Sequence, residues 1–203
     1  MAEMKQKPKN SLAFTLVELL VVIGIIGVLL GILIPVVGKA RATSMRTTCA
    51  AQLRDIGAVF NMYLNENKLR VPRVNPLPSQ KPAIVDAPSI YETLDRYTKD
   101  VRAGWKCPAD AIRNPPDPKF ETYFDREGGS YEYNSFFNAF AYDEKTGINK
   151  VWRDALKDAE HGRLKPDRLR IFSDFEPFHG KAGTRGAMNY LFADFHVGDI
   201  LDK

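Results

Sequence analysis

The sequence predicts an α+β chain in which one long N-terminal helix packs its second half on a small antiparallel sheet. Three observations predict it. An uncharged apolar run spans Leu19 to Gly38. An apolar stripe at helical spacing follows it as far as Tyr63. Short segments of strand pattern then alternate with proline-rich loops. At 203 residues, 44% hydrophobic and 27% charged, the chain is long and apolar enough to fold about one core. That composition excludes a wholly disordered or collagen-like chain. The net charge of +4 arises from 29 basic and 25 acidic residues, and the basic ones are scattered. A nucleic-acid interface needs them concentrated in a stripe, so no nucleic-acid partner is predicted. Two cysteines are too few for a disulfide-dense scaffold, and their spacing is not a zinc signature.

The first element is a membrane segment. Leu19–Gly38 reads LLVVIGIIGVLLGILIPVVG, without a charge or a polar side chain. A run of that length crosses a hydrocarbon core of roughly 30 Å as a helix. Lys5, Lys7 and Lys9 precede it, and Lys39, Arg41 and Arg46 follow it. With both flanks basic, the positive-inside rule leaves the orientation open. The short leader favours a cytoplasmic N-terminus with the bulk of the chain outside. Ala40-Arg41-Ala42 has the small-x-small form of a signal-peptidase site. The apolar run, however, exceeds the about 7–15 residues of a secretory signal. Glu18 stands at the edge of the run, where a carboxylate is costly unless it reaches the interface or a cation. It either rests among headgroups or pairs with the free amine of a neighbouring subunit.

The helix continues beyond the membrane. Met45, Cys49, Leu53, Ile56, Phe60 and Tyr63 recur at steps of three or four residues, which is one face of a 3.6-residue period. Pro72 cannot continue a helix, so a single helix from Phe14 to about Lys68 is expected. Pro35 removes one of its hydrogen bonds and should kink it, and Gly57 weakens it by roughly 1 kcal/mol. Pro72, Pro76, Pro78, Pro82 and Pro88 make 71–88 a loop. Ser89-x-x-Glu92 is a capping box that opens a short helix to about Tyr97. Pro115, Pro116 and Pro118 mark another loop. Ser130–Phe136 alternates as a strand, Val151–Glu160 reads as a helix, and Leu169–Phe172 and Tyr190–Ala193 read as strands. His196–Leu201 returns as the second arm of a hairpin.

Ala13-Phe14-Thr15-Leu16-Val17-Glu18-Leu19-Leu20, followed by Val21-Val22-Ile23, resembles the class III prepilin signature of type IV pilins and type II secretion pseudopilins. The resemblance covers about 30 residues and implies a pilin-like fold. It implies cleavage between Ala13 and Phe14 by a prepilin peptidase, N-methylation of Phe14, and assembly through Glu18. Pro35 matches the proline of the family's mature helix. Ala13 replaces the usual glycine before the cut. The implied domains are a leader (1–13), a transmembrane and polymerisation helix (14–38) and a globular domain (39–203). The implied partners are the prepilin peptidase, other pilin or pseudopilin subunits, and the inner membrane, with the C-terminal domain outside the cytoplasm.

A second resemblance is carried by Cys49-Ala50-Ala51-Gln52-Leu53-Arg54-Asp55-Ile56-Gly57, by Cys107-Pro108-Ala109-Asp110, and by Asn189-Tyr190-Leu191-Phe192-Ala193-Asp194-Phe195-His196-Val197. These are similar to three elements of a large pilin-like family of planctomycetes and verrucomicrobia. That family's C-terminal element is a histidine, nine residues and Asp-Gly. Here the nearest upstream histidine is His179, and Phe195 replaces the glycine. Phe195 at positive φ would be strained, so a turn longer than two residues, or of another type, is expected.

The candidate sites are few. Cys49 and Cys107 are either a disulfide or two buried thiols. His179, Asp194 and His196 are too scattered to argue for a metal site. No cofactor is predicted; calcium is the alternative, as the resemblance to type II secretion pseudopilins implies, with Asp194, Asp199 and Asp202 available but no EF-hand spacing. Tyr131, Tyr133, Phe136, Phe137 and Phe140 form either a sugar-stacking platform or core pairs. No catalytic motif stands out, so no catalytic residue is assigned and no enzyme is predicted. Two functions remain: a filament subunit, or a periplasmic binding protein or enzyme singly tethered by the same helix.

Overall fold

The computed structural model describes residues 15–75, 77, 79, 87–98, 102–112, 119–134, 142–143, 145–161 and 164–201. The chain divides into two compact units, Met1–Arg41 and Ala42–Lys203. Helix α1, Leu16–Glu66, contributes to both and runs through Pro35. In the first unit every described side chain is exposed, including Leu16, Val28, Ile32 and Ile34. Such a bare apolar surface has no place in water, and this stretch is long and apolar enough to cross a membrane.

In the second unit α1 buries Cys49, Leu53, Ile56, Gly57, Val59, Phe60 and Leu64. The buried face is wider than the expected stripe, and Met45 and Tyr63 lie at its half-buried margins. Four antiparallel strands face it in the order β1 (Tyr131–Tyr133), β4 (Arg170–Asp174), β5 (Tyr190–Phe192) and β6 (Val197–Gly198). Tyr133 sits opposite Phe172, Phe172 opposite Leu191, and Leu191 opposite Val197. A register irregularity interrupts the β4–β5 ladder between Arg170 and Phe172. The central strands are buried on nearly every residue, and Gly57 and Phe60 of α1 pack on Leu191 and Phe172.

Gly57 has a positional reason. A Cβ there would stand 3.2 Å from both methyls of Leu191 and 3.5 Å from the Phe195 ring. Its absence lets α1 settle onto the β5–β6 hairpin, which offsets the lost helix propensity. Around Phe60 three aromatic rings pack edge to face or tilted, and Tyr63 stacks at 6.4 Å. Trp152 is at 5.7 Å, Phe172 at 6.0 Å and Tyr133 at 6.2 Å. Tyr131 and Tyr133 are thus core residues and no stacking platform, while Phe136, Phe137 and Phe140 lie outside the described residues.

The smaller elements follow local chemistry. The Ser89–Glu92 capping box is present and starts α2, Ile90–Leu94, which tightens into a 3₁₀ turn over Asp95–Tyr97. Helix α4, Trp152–His161, buries Ala155 and Ala159. Three elements had no reading in the sequence. They are the 3₁₀ turn Arg102–Trp105, helix α3 (Tyr123–Glu127), and the hairpin of β2 (Tyr142–Asp143) with β3 (Ile148–Asn149). The strand expected over Ser130–Phe136 is described only as Tyr131–Tyr133, and Ser135 and Phe136 lie outside the described residues.

Candidate functional site

The start of α1 is the first candidate site. Ala13 and Phe14 lie outside the described residues. Thr15 precedes the helix, and its hydroxyl accepts from the Glu18 amide at 3.2 Å. The Glu18 carboxylate accepts in return from the Thr15 amide at 2.9 Å and the Thr15 hydroxyl at 2.8 Å. This reciprocal pair is a capping box, which satisfies orphan amides at a helix start. The Thr15-x-x-Glu18 spacing signals it as plainly as Ser89-x-x-Glu92, but sequence reasoning treated Glu18 only as a membrane or intersubunit charge. The carboxylate is therefore held against the helix's own first turn. Pro35 lies within the exposed apolar stretch of the same helix.

The second candidate site lies inside the domain. Cys49 on α1 and Cys107 are joined in a disulfide, with Cα atoms 5.2 Å apart and a sequence separation of 58. Cys107 opens the Cys107-Pro108-Ala109-Asp110 turn, which closes by the Asp110 amide donating to the Cys107 carbonyl at 3.0 Å. Asp110 then accepts from the Tyr123 and Phe124 amides at 3.0 and 2.8 Å, and from the Ser130 hydroxyl at 2.6 Å. Its carboxylate thus holds the N-terminus of α3, where the helix dipole favours negative charge. Ser130 Oγ accepts from the Cys107 amide at 3.0 Å, which ties the turn to β1. Gln52 completes the link to α1, donating to the Lys106 carbonyl and accepting from the Tyr131 hydroxyl.

His179 lies against this disulfide. Its Nε2 is 3.7 Å from Cys107 Sγ and 3.5 Å from Asp174 Oδ2 at the end of β4. The two side chains are 1% and 0% exposed. Asn189 donates its amide and its side-chain nitrogen to Asp174 Oδ2 at 2.7 and 3.2 Å. Burial pushes Asp174 up to about 7, against the Asn189 hydrogen bonds and the field of Arg46. Burial, aided by Arg46, holds His179 down at about 4. Near neutral pH the imidazole is therefore neutral. Arg46 packs over Gly186, where the positive φ of 81° and the nearby guanidinium leave no room for a Cβ.

The residues of the C-terminal motif part company. His196 Nδ1 is 2.5 Å from Asp194 Oδ1, and its ring stacks on Phe192 at 4.4 Å on the half-exposed hairpin. His179 instead turns inward to the disulfide, so the structure does not join it with Asp194 and His196. Asp199 accepts from the Gly186 and Leu201 amides and so ties down the loop before β5, and Asp202 lies outside the described residues. The hairpin turn has three residues, Ala193–Phe195, closed by the Phe192 amide donating to the His196 carbonyl at 2.9 Å. Phe195 nonetheless takes a φ of 66°, the left-handed position that glycine fills in the resembled motif. Its ring packs at 5.8 Å on Trp152, which holds a conformation that a bulky residue rarely adopts.

Comparison with known proteins bears on the first site. No curated protein and no solved structure matches the chain. Residues 8–34 match the family model described as the prokaryotic N-terminal methylation motif, a span that contains Ala13, Phe14 and Glu18. The chain thus carries a prepilin-type N-terminus and an apolar membrane-anchoring helix, joined to an α+β domain of pilin-like architecture.

Proposed function

We propose that the chain is a structural subunit, a pilin or pseudopilin, of a type IV pilus-like or type II secretion-like filament. The methylation motif at residues 8–34, running into a helix whose apolar first half buries nothing within its own chain, carries this reading. A prepilin peptidase cuts between Ala13 and Phe14 and methylates Phe14. The exposed sleeve first sits in the inner membrane and then packs against the same sleeve of other subunits. The globular domain lies outside the cytoplasm, and the Cys49–Cys107 disulfide supports that compartment. The role is mechanical, and it requires neither a catalytic residue nor a cofactor. The Cys107–Asp110 turn and the C-terminal hairpin support kinship with the pilin-like proteins of planctomycetes and verrucomicrobia.

Glu18 tests the assembly role. In a water-free bundle of helices an unpaired carboxylate is costly, so a staggered neighbour that brings its Phe14 amine to Glu18 fixes the register. Glu18→Gln should leave membrane insertion intact and severely lower the amount of crosslinked or sheared polymer. Polymer at wild-type levels would refute the register role and favour a binding protein or enzyme tethered singly by the helix.

A further inference from the structure

The disulfide, His179 and Asp174 form a cluster that the filament reading does not use. Cys49 Sγ, Cys107 Sγ and a ring nitrogen of His179 lie within 4.8 Å of one another. The imidazole is 1% exposed, and its Nδ1 has no hydrogen-bond partner among the described residues. Asp174 Oδ1, equally buried, has none either. A buried imidazole gathered against two sulfurs calls for an explanation.

The distances supply one. Zinc–sulfur bonds of about 2.3 Å and zinc–nitrogen or zinc–oxygen bonds of about 2.0–2.1 Å fix the edges of a tetrahedral site. The edge from sulfur to nitrogen is about 3.5 Å. The structure has 3.7 Å from Cys107 Sγ to His179 Nε2. The two sulfurs are bonded to each other at 2.04 Å, closer than a zinc site allows. In a zinc site they would stand about 3.8 Å apart, which rotation about each Cα–Cβ bond can provide once the bond is broken.

We propose that the dithiol form of this chain binds one zinc-like, thiophilic divalent cation through Cys49, Cys107 and His179, with a solvent molecule or exogenous anion in the fourth position. Disulfide formation then expels the cation. A disulfide donor R–S–S–R takes two electrons from the two thiolates. The Cys49–Cys107 bond forms, the R–S–S–R bond breaks, and two RS⁻ and the free divalent cation leave. Metal and disulfide are thus alternative clasps between α1 and the Cys107 turn, one for the chain before oxidation and one after it. The inference goes beyond the filament reading and stands or falls separately from it.

The test uses the full-length chain in detergent, reduced with a phosphine and titrated with Co²⁺ and then Zn²⁺. Expected are one equivalent of Co²⁺ with thiolate-to-cobalt charge-transfer bands, its displacement by Zn²⁺, and a higher Tm of the reduced chain with zinc. The oxidised chain should show none of these. His179→Gln should weaken binding tenfold or more. Zinc-edge X-ray absorption of the loaded wild-type chain should count two sulfurs and an imidazole, which needs no variant to fold. A reduced chain that takes up no more cation than the oxidised chain, or a zinc shell without imidazole, would overturn the proposal.

Discussion

Glu18 has two uses, and substitutions separate them. Within one chain its carboxylate completes the capping box with Thr15. Gln fills that box as well as Glu does, whereas Ala does not. Glu18→Gln therefore removes the charge and keeps the cap, and Glu18→Ala removes both. If the charge acts between subunits, both variants lose polymer, and only Ala also frays the first turn, which hydrogen exchange makes visible. Asp174 and His179 oppose each other in the same way. A carboxyl raised from 3.8 to about 7 contributes stability that is present below pH 3.8 and lost as pH rises to about 7. An imidazole lowered from 6.5 to about 4 contributes stability that is present above pH 6.5 and lost as pH falls to about 4. Over pH 4 to 7 the two slopes largely cancel in the wild-type chain. Asp174→Asn should unmask an acid-sensitive protein and His179→Gln one that weakens toward neutral pH, both measured by denaturant unfolding across that range. Parallel pH profiles for all three chains would contradict this balance.

At the scale of elements, the disulfide is the cross-link between α1 and the Cys107 turn. Closing a loop with a sequence separation of 58 constrains the unfolded chain by about 4 kcal/mol in the chain-entropy description. Cys49→Ser with Cys107→Ser should lower unfolding stability by about that amount in metal-free buffer. A loss under about 1 kcal/mol would show that the buried Asp110–Ser130 network holds the turn by itself. These elements differ in how they could be read from the sequence. The two halves of α1 were legible because charge and 3.6-residue periodicity are local signals, and so was the Ser89 cap. Helix α3 carries local signals too, a Thr122 cap on the Asp125 amide and a left-handed Gly128 at its end, but it is only five residues long, and the Asp110 carboxylate on its first amides arrives from across a loop. The inward turn of His179 was not legible either, since it depends on where β4 ends and where Asn189 falls in the fold. Phe195 was legible in part. The longer turn was expected, but its positive φ depends on the ring finding Trp152.

For the whole molecule, the division after Arg41 has a practical consequence. Ala42–Lys203 keeps the buried face of α1, the sheet and the disulfide, and it leaves out the bare apolar sleeve. That segment should be soluble and unfold in one cooperative thermal transition. Aggregation without a transition would mean that the domain needs the membrane half of its helix. The central claim, that this chain is a processed prepilin, is tested most directly at its N-terminus. Mass spectrometry of the protein extracted from membranes should find a chain that begins at Phe14 and carries an N-methyl group. A chain that still begins at Met1, or one that begins at Thr43 after a signal-peptidase cut, would contradict it.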